Sequence, residues 1–157
     1  MAGPDNPAAS RPIYVLNGPN LNLLGEREPE VYGRTSLQEL GDMVRRRGGE
    51  LGVSIDFRQS NSEAELIGWL QEARGKAGGV ILNAAGLSHT SVALLDAARA
   101  LAVPLIEVHL SNPYAREAYR RHSFISETAT AVICGLGAAG YLYAVEALAH
   151  RLKERAA

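Results

Sequence analysis

Five short apolar runs recur along the chain, and the segments between them place apolar residues at helical spacing. Short apolar runs bounded by turn residues predict β-strands, and longer segments with an apolar stripe predict α-helices. Strands that alternate with helices are typical of a parallel sheet with helices on both faces. The predicted strands are IYVLN (13–17), VSIDFRQ (53–59), GVILNAA (79–85), PLIEVHL (104–110) and TAVICGL (130–136).

The segments between the strands carry helix start and stop signals. Ser62 is a favourable cap for the second helix, and glycines 48 and 49 are placed to end the first. Pro113 suits the first turn of the fourth helix. The predicted helices are residues 35–48, 62–75, 90–102, 112–121 and 138–156.

These elements predict an α/β fold with a flavodoxin-like, doubly wound sheet of five parallel strands in the order 2-1-3-4-5. The runs 79–85 and 130–136 are almost continuously apolar, as expected of strands that helices cover on both faces. Ligands of such folds bind beyond the carboxyl ends of the strands. Residues 13–157 are therefore expected to form one catalytic domain, and residues 1–12, rich in proline, alanine and polar residues, a disordered leader.

Composition narrows the functional classes. The formal net charge of −1 over 157 residues gives no electrostatic basis for binding nucleic acid or a membrane surface. No apolar run approaches the ~18 residues of a membrane-spanning helix, and the N-terminus lacks the basic and apolar regions of a signal peptide. A cytoplasmic protein is therefore expected. The single cysteine, Cys134, cannot form an internal disulfide, and its apolar neighbours indicate a buried, unreactive thiol.

Candidate chemistry begins in the loop after the first strand, where Arg27 lies five residues before Tyr32. A tyrosine with the usual pKa near 10 is a poor base at neutral pH, but a nearby guanidinium favours the phenolate. The length of the loop, with its proline and glycine, indicates a lid that closes over a ligand. A surface arginine beside a half-packed tyrosine is the alternative, and spacing alone leaves both open.

A second candidate pair lies at the end of the fourth strand. Glu107 precedes His109 by two residues, so both side chains point to the same face of the sheet. A carboxylate near an imidazole orients the ring and raises its pKa, which suits a general acid. A histidine satisfied within the core is the alternative, although a glutamate in the middle of an apolar strand requires a partner.

Two arginines follow the fourth strand. Arg116 and Arg120 are four residues apart, so they share one face of the predicted helix and can hold an anionic or polyhydroxylated ligand. A solvated basic face is the alternative. The turn at 110–112 leads into the same helix, and its free N–H groups together with the helix dipole predict a seat for a carboxylate.

Several chemistries are disfavoured by the residues present. The four histidines show no metal-ligand spacing. A Schiff base requires a desolvated lysine, but Lys76 lies in a helix-ending turn and Lys153 near the C-terminus. The GLGAAG motif at 135–140 follows the last strand rather than the first, so it indicates close helix–strand packing rather than a dinucleotide site.

The motifs NGPNLNLLGEREPEVYG, RQSNSE, ILNAAGLSHTS, PLIEVHLSN and REAYRRHS, in this order, resemble the type II 3-dehydroquinate dehydratases. The similarity covers roughly residues 13–150. It implies a flavodoxin-like fold and the reversible dehydration of 3-dehydroquinate to 3-dehydroshikimate through an enolate, without a cofactor or a metal. The same reaction serves shikimate biosynthesis and quinate breakdown, and the motifs are compatible with both roles.

The resemblance implies roles for individual residues. Tyr32 matches the base that removes a proton from the carbon next to the ketone, and Arg27 matches the arginine that activates it. Asn20 matches the residue that stabilises the enolate through an ordered water molecule. His109 matches the general acid that protonates the departing hydroxyl, and Glu107 matches the carboxylate that orients it.

Further positions match contacts to the substrate. Asn83 and the backbone amides of Leu110 and Ser111 match the pocket for the substrate carboxylate. His89 and Arg120 match the contacts to the ring hydroxyls.

The resemblance also implies an assembly. The family's enzymes are typically dodecamers built from four trimers, in which the position of Asp96 reaches into the site of a neighbouring subunit. The residue pattern by itself indicates only an exposed helix position for Asp96. Arg116 matches a further arginine of the site region.

Other functional classes share the predicted fold. An FMN-binding module would carry a loop rich in Ser, Thr and Gly after the first strand. A receiver domain would carry an acidic cluster there and an aspartate, rather than Asn83, at the end of the third strand. An inactive paralogue that keeps the assembly is a further alternative, against which the complete set of Asn20, Arg27, Tyr32 and His109 argues.

Overall fold

The sheet has five parallel strands in the order β2-β1-β3-β4-β5, which confirms the predicted doubly wound topology. The computed structural model describes residues 11–157; residues 1–10, most of the expected leader, lie outside the described residues. The strands are β1 (Ile13–Asn17), β2 (Ile55–Gln59), β3 (Gly79–Asn83), β4 (Leu105–His109) and β5 (Ala131–Cys134).

The α-helices of the described residues are α1 (Pro29–Tyr32), α2 (Leu37–Glu50), α3 (Glu63–Lys76), α4 (Val92–Arg99) and α5 (Ala138–Ala156). Helix α2 was predicted to end at glycines 48 and 49 but continues to Glu50. Gly48 serves the packing of the helix on the sheet, because a Cβ there would lie 2.5 Å from Cγ1 of Ile55 on β2. No helix among residues 11–157 is long and apolar enough to cross a membrane.

Alternation along the strands divides the core into two halves. In β1, Ile13 and Val15 pack against residues of α2 and α5, whereas Tyr14 and Leu16 pack against residues of α3 and α4. Each buried aliphatic side chain contributes about 1.5–3 kcal/mol, so both faces stabilise the sheet. The two helical layers leave the carboxyl edge of the sheet to the loops that follow β1, β3 and β4.

The α-helix predicted for residues 112–121 is wrong. The segment folds instead as two 3-10 turns, Pro113–Ala115 and Ala118–Arg120. The Asn112 side chain accepts a hydrogen bond from the Tyr114 N–H at 3.1 Å and closes a local turn, and Arg116 is extended (φ −118°, ψ −161°). Arg116 and Arg120 therefore do not share a helix face, and the turn at 110–112 does not precede a helix long enough to supply a macrodipole.

Strand β5 is covered on only one face by the residues that the structure describes. Ile133 packs on α5, where a Cβ at Gly140 would lie 3.3 Å from its Cγ2, which confirms the packing role of the GLGAAG motif. On the opposite face Val132 is 45% exposed and Cys134 is only half-buried. For β5 the predictions of two covered faces and of a buried thiol are therefore wrong, because no element among the described residues covers this face. For β3 the prediction is confirmed, since all five of its residues are buried.

A buried hydrogen-bond network joins the ends of β1 and β3, where Asn17 lies opposite Asn83 in the register. Tyr141, in the first turn of α5, donates its hydroxyl proton to Asn17 Oδ1 (2.7 Å) and accepts a bond from Asn83 Nδ2 (2.9 Å). Burial raises the pKa of Tyr141 well above its usual value, so it remains a neutral phenol. The network fixes the direction of the Asn83 amide at the carboxyl edge of the sheet.

We expect Tyr141→Phe to lower the free energy of unfolding by about 1–3 kcal/mol, because two buried amides lose a partner that water cannot replace. Urea unfolding at a fixed protein concentration measures the change. Tyr143→Phe, at a tyrosine that is 55% exposed, is the matched control and should lie within about 0.5 kcal/mol of the wild type. Equal stability of the two variants would contradict the role given to the network.

Candidate active site

A cavity of about 130 Å³ opens at the carboxyl edge of the sheet, beneath the loop that follows β1. Its walls come from this loop, from the ends of β3 and β4, and from the turns that follow those strands. The sequence-predicted residues that line it are Asn20, Arg27, Tyr32, Asn83, His89, His109, Leu110, Ser111, Arg116 and Arg120.

Two of the predicted site residues do not line this cavity. Glu107 lies behind His109, in the interior, and is 1% exposed. Asp96 lies on the exposed side of α4, away from its own chain's cavity. The polar loop after β2 (residues 60–62) also stays outside the cavity lining, although β2 ends at the same edge of the sheet.

The loop over the cavity brings Arg27 and Tyr32 together, as their spacing suggested. Arg27 Cζ lies 5.2 Å from the centroid of the Tyr32 ring, within the range of a cation–π contact. Tyr32 belongs to the single turn of α1. The residues on either side of this turn both have positive φ: Glu28 at 42° and Gly33 at 86°. Arg27 also pairs with Glu28 at 3.2 Å, and both side chains are substantially exposed.

Two further arginines approach Tyr32 from the turns after β4. Arg116 Cζ also lies 5.2 Å from the ring centroid, and Arg116 Nη1 donates to Ser111 Oγ at 3.2 Å. Burial alone would lower the pKa of Arg120, but the electrostatic influence of Tyr32 and Tyr119 contributes to holding it above its usual value. Tyr32 therefore lies in a strongly cationic environment, which the sequence indicated only for Arg27.

The Glu107–His109 pair is confirmed, and two serines complete it. His109 Nε2 contacts Glu107 Oε2. Ser126 Oγ donates to Glu107 Oε1 at 2.5 Å, and Ser123 Oγ donates to Oε2 at 2.7 Å. Burial acts to raise the pKa of Glu107, but the bonds from His109, Ser126 and Ser123 outweigh it and hold that pKa below its usual value. Glu107 is therefore a charged carboxylate with its donors in place.

These contacts define how the two histidines can act. Because Nε2 of His109 is held by Glu107, Nδ1 is the nitrogen left for a bound molecule. His89 donates from Nδ1 to the backbone oxygen of His122 at 2.7 Å, which leaves its Nε2 as an acceptor when the ring is neutral. The two rings are nearly parallel, at 16°, and their centroids are 6.4 Å apart.

Sequence reasoning missed the residues that hold the site from behind. Ser123 and Ser126 are separated from Glu107 by 16 and 19 positions, and Tyr141 from Asn83 by 58, so no local pattern links them. The usable signal is chemical: a charged glutamate in an apolar strand requires donors, and buried amides require partners.

Among residues 11–157, no group of three or more His, Cys, Asp or Glu side chains is arranged to hold a metal ion. The polar groups that line the cavity are instead amides, hydroxyls, imidazoles and guanidiniums. Such groups bind oxyanions and hydroxyls and can transfer protons.

The fold is a flavodoxin-like α/β fold, and its cavity brings candidate acid–base groups together with several guanidiniums. The model of the family "Dehydroquinase class II" matches residues 11–149. The chain therefore belongs to the class II dehydroquinase family, as the resemblance of its motifs predicted.

Individual relatives agree with this assignment. The chain is 56% identical to the 3-dehydroquinate dehydratase of Phenylobacterium zucineum over 140 residues, which cover 89% of this chain and 97% of the relative. It is 53% identical to that of Caulobacter vibrioides, over 87% and 94% of the two chains. The crystal structure of type II dehydroquinase from Propionibacterium acnes superposes with a TM-score of 0.87 at 44% identity, covering 90% of this chain and 97% of the other.

The lowered pKa of Glu107 predicts a pH-dependent stability. Because the folded-state pKa lies below the usual value of about 4.3, the contribution is present above that pH and is lost as the pH falls through the folded pKa. Ser126→Ala should lower the free energy of unfolding by about 1–3 kcal/mol at pH 7, and the loss should shrink below about pH 4. Urea unfolding over a pH series measures it.

The control for this prediction is Ser54→Ala, at an exposed serine just before β2, which should change stability little at any pH. A loss in Ser126→Ala that stays constant from neutral to acid pH would contradict the assignment of Ser126 to the charged carboxylate.

Proposed function

We propose that this chain catalyses the reversible dehydration of 3-dehydroquinate to 3-dehydroshikimate. This is the lyase reaction for which its relatives are named. The observation that carries the proposal is a single cavity lined by a tyrosine close to two guanidiniums and by a histidine held on a buried carboxylate. Elimination beside a ketone requires a base, a group that stabilises the enolate, and an acid for the leaving hydroxyl. Candidates for all three line this cavity.

Tyr32 is the proposed base. As a phenolate it removes the proton from the carbon next to the ketone, and the electrons of the C–H bond move toward the carbonyl oxygen as the enolate forms. Arg27 and Arg116, each 5.2 Å from the ring centroid, interact more favourably with a phenolate than with a phenol. Asn20, on the same cavity wall, is proposed to stabilise the enolate oxygen through an ordered water molecule.

His109 is the proposed general acid. When the enolate collapses, the C–O bond to the leaving hydroxyl breaks, and His109 donates the proton with which that hydroxyl departs as water. The charged Glu107 orients the ring through Nε2. In the reverse direction the same histidine removes a proton from water.

The remaining polar groups are proposed to position the substrate. Asn83 and the backbone amides of Leu110 and Ser111 line one part of the cavity and are suited to a carboxylate. His89 Nε2 can accept a bond from a ring hydroxyl, and Arg120 can donate to one. The proposal uses no cofactor and no metal, because each step is a proton transfer within reach of these side chains.

We also propose that the chain forms a dodecamer of four trimers, in which Asp96 reaches the cavity of a neighbouring subunit. Two observations support an assembly: Asp96 is exposed and lies outside its own chain's cavity, and one apolar face of β5 is open. A cytoplasmic location also stays a prediction.

The first test is the reaction itself. We expect purified protein, treated with borohydride and EDTA, to convert 3-dehydroquinate to a product with the ultraviolet absorbance of a conjugated enone. Borohydride inactivates an enzyme that depends on a Schiff base when it is applied in the presence of 3-dehydroquinate, because it reduces the imine, and it is then removed before the assay with fresh substrate. EDTA inactivates an enzyme that depends on a removable metal. Absence of product from folded protein would contradict the proposal and favour the inactive paralogue.

We expect Tyr32→Phe to lower kcat by at least about 10²-fold, because it removes the proposed base and leaves the aromatic ring in place. Circular dichroism and the urea midpoint should stay close to the wild type, since no residue of α1 is buried. Tyr143→Phe is the matched control, because Tyr143 is exposed and does not line the cavity, and it should keep full activity. Wild-type turnover by Tyr32→Phe would exclude this tyrosine as the base.

A further inference from the structure

The loop after β2 contacts the backbone of Asn20 from outside the cavity. Asn61 Oδ1 accepts a hydrogen bond from the Asn20 N–H at 2.9 Å. The same oxygen accepts a bond from Gln59 Nε2 at 3.1 Å, and that nitrogen also lies 3.2 Å from the backbone oxygen of Gly18. Together, Gln59 and Asn61 therefore hold the backbone on both sides of Pro19. Neither residue lines the cavity.

Asn20 has a conformation that requires such support. Its φ of 69° and ψ of −5° lie in the left-handed region, which asparagine tolerates better than most residues but which still costs free energy. The turn has no space in which to relax toward β3, because a Cβ at Gly18 would lie 2.6 Å from the backbone oxygen of Ala84. The Asn20 backbone is held at its other end by the Leu23 N–H, which donates to its oxygen at 3.0 Å.

We propose that Asn61 is a positioning residue for the reaction, which holds Asn20 in the left-handed conformation that directs its side chain into the cavity. The inference deepens the proposed function and rests on its assignment of Asn20 to the enolate. It also gives a role to the RQSN segment (58–61), none of whose residues lines the cavity. Asn61 acts through Asn20 and is not expected to touch the substrate.

The bond is solvent-exposed, so its loss is expected to affect geometry more than stability. Water can replace an exposed acceptor, and a folded protein loses little when it does. Catalysis is more sensitive, because a misplacement of about 1 Å in the groups that surround the reacting atoms can lower the rate by about 10²-fold. A group that stabilises only the enolate should lower kcat when displaced and leave KM nearly unchanged.

The test compares Asn61→Ala, which removes the acceptor, with Asn61→Asp, which keeps an oxygen in the same place. We expect kcat of Asn61→Ala to fall about tenfold with KM within about twofold, and kcat of Asn61→Asp to stay within about threefold of the wild type. Ser62→Ala is the matched control: it removes the cap that accepts from the Glu65 N–H at 3.2 Å, so it should lower the urea midpoint but not kcat.

Asn20→Ala and the double variant complete the cycle. Asn20→Ala should lower kcat by about 10²-fold, and adding Asn61→Ala to it should change kcat by no more than about twofold, because the residue that Asn61 positions is already gone. Additive losses in the double variant would overturn the inference, as would wild-type kcat in Asn61→Ala.

The failure of the inference and the failure of the proposed function give different results. If Asn20→Ala loses activity and Asn61→Ala does not, the enolate role of Asn20 stands and the positioning role of Asn61 is wrong. If Asn20→Ala itself keeps wild-type kcat, the role of Asn20 in the proposed function fails, and the inference about Asn61 falls with it.

Discussion

The parallel pairing of β1, β3 and β4 is the constraint on which the candidate site depends. Because parallel strands end at the same edge, their last residues come together although they are far apart in the chain. Alternation then sends Asn17 and Asn83 toward α5, and Glu107 and His109 toward the opposite face. Polar side chains are thereby buried on both faces of one sheet edge, and each must find a partner within the fold.

The fold satisfies these buried groups with residues that take no part in the proposed chemistry. Tyr141 serves the amides of Asn17 and Asn83, and the two serines of the 123–126 segment serve the carboxylate of Glu107. A partly satisfied network in a low-dielectric interior costs more than an apolar one, whereas a complete network rigidifies its members. The direction of each cavity-facing group is therefore determined by the packing behind it.

Part of the site could be predicted from the sequence and part could not, for physical reasons. The shared face of Glu107 and His109 follows from the two-residue period of a strand, so local spacing predicted it correctly. The 112–121 segment was mispredicted because Asn112 can cap a helix or close a turn, and helical spacing does not distinguish these outcomes. The serine and tyrosine partners depend on long-range packing, which no single-sequence period records. The open face of β5 was missed for a related reason, since an apolar run has the same pattern whether or not a helix covers it.

The proposed base and the proposed acid lie on elements of different local stability, and this difference bears on the order of the reaction. His109 ends a central strand and is 8% exposed, with Glu107 and its serines fixed beneath it. Tyr32 belongs to a single helical turn that has no buried residue and that lies between two residues with positive φ. The arginines that contact its ring, Arg27 and Arg116, lie in a loop and in a turn. Segments with few buried contacts open at lower free energy than core strands. Under the proposed mechanism the acid is therefore held more firmly than the base before substrate binds. Since proton removal precedes loss of the hydroxyl, the less firmly held group would act in the first step, and the acid would already be in place for the second.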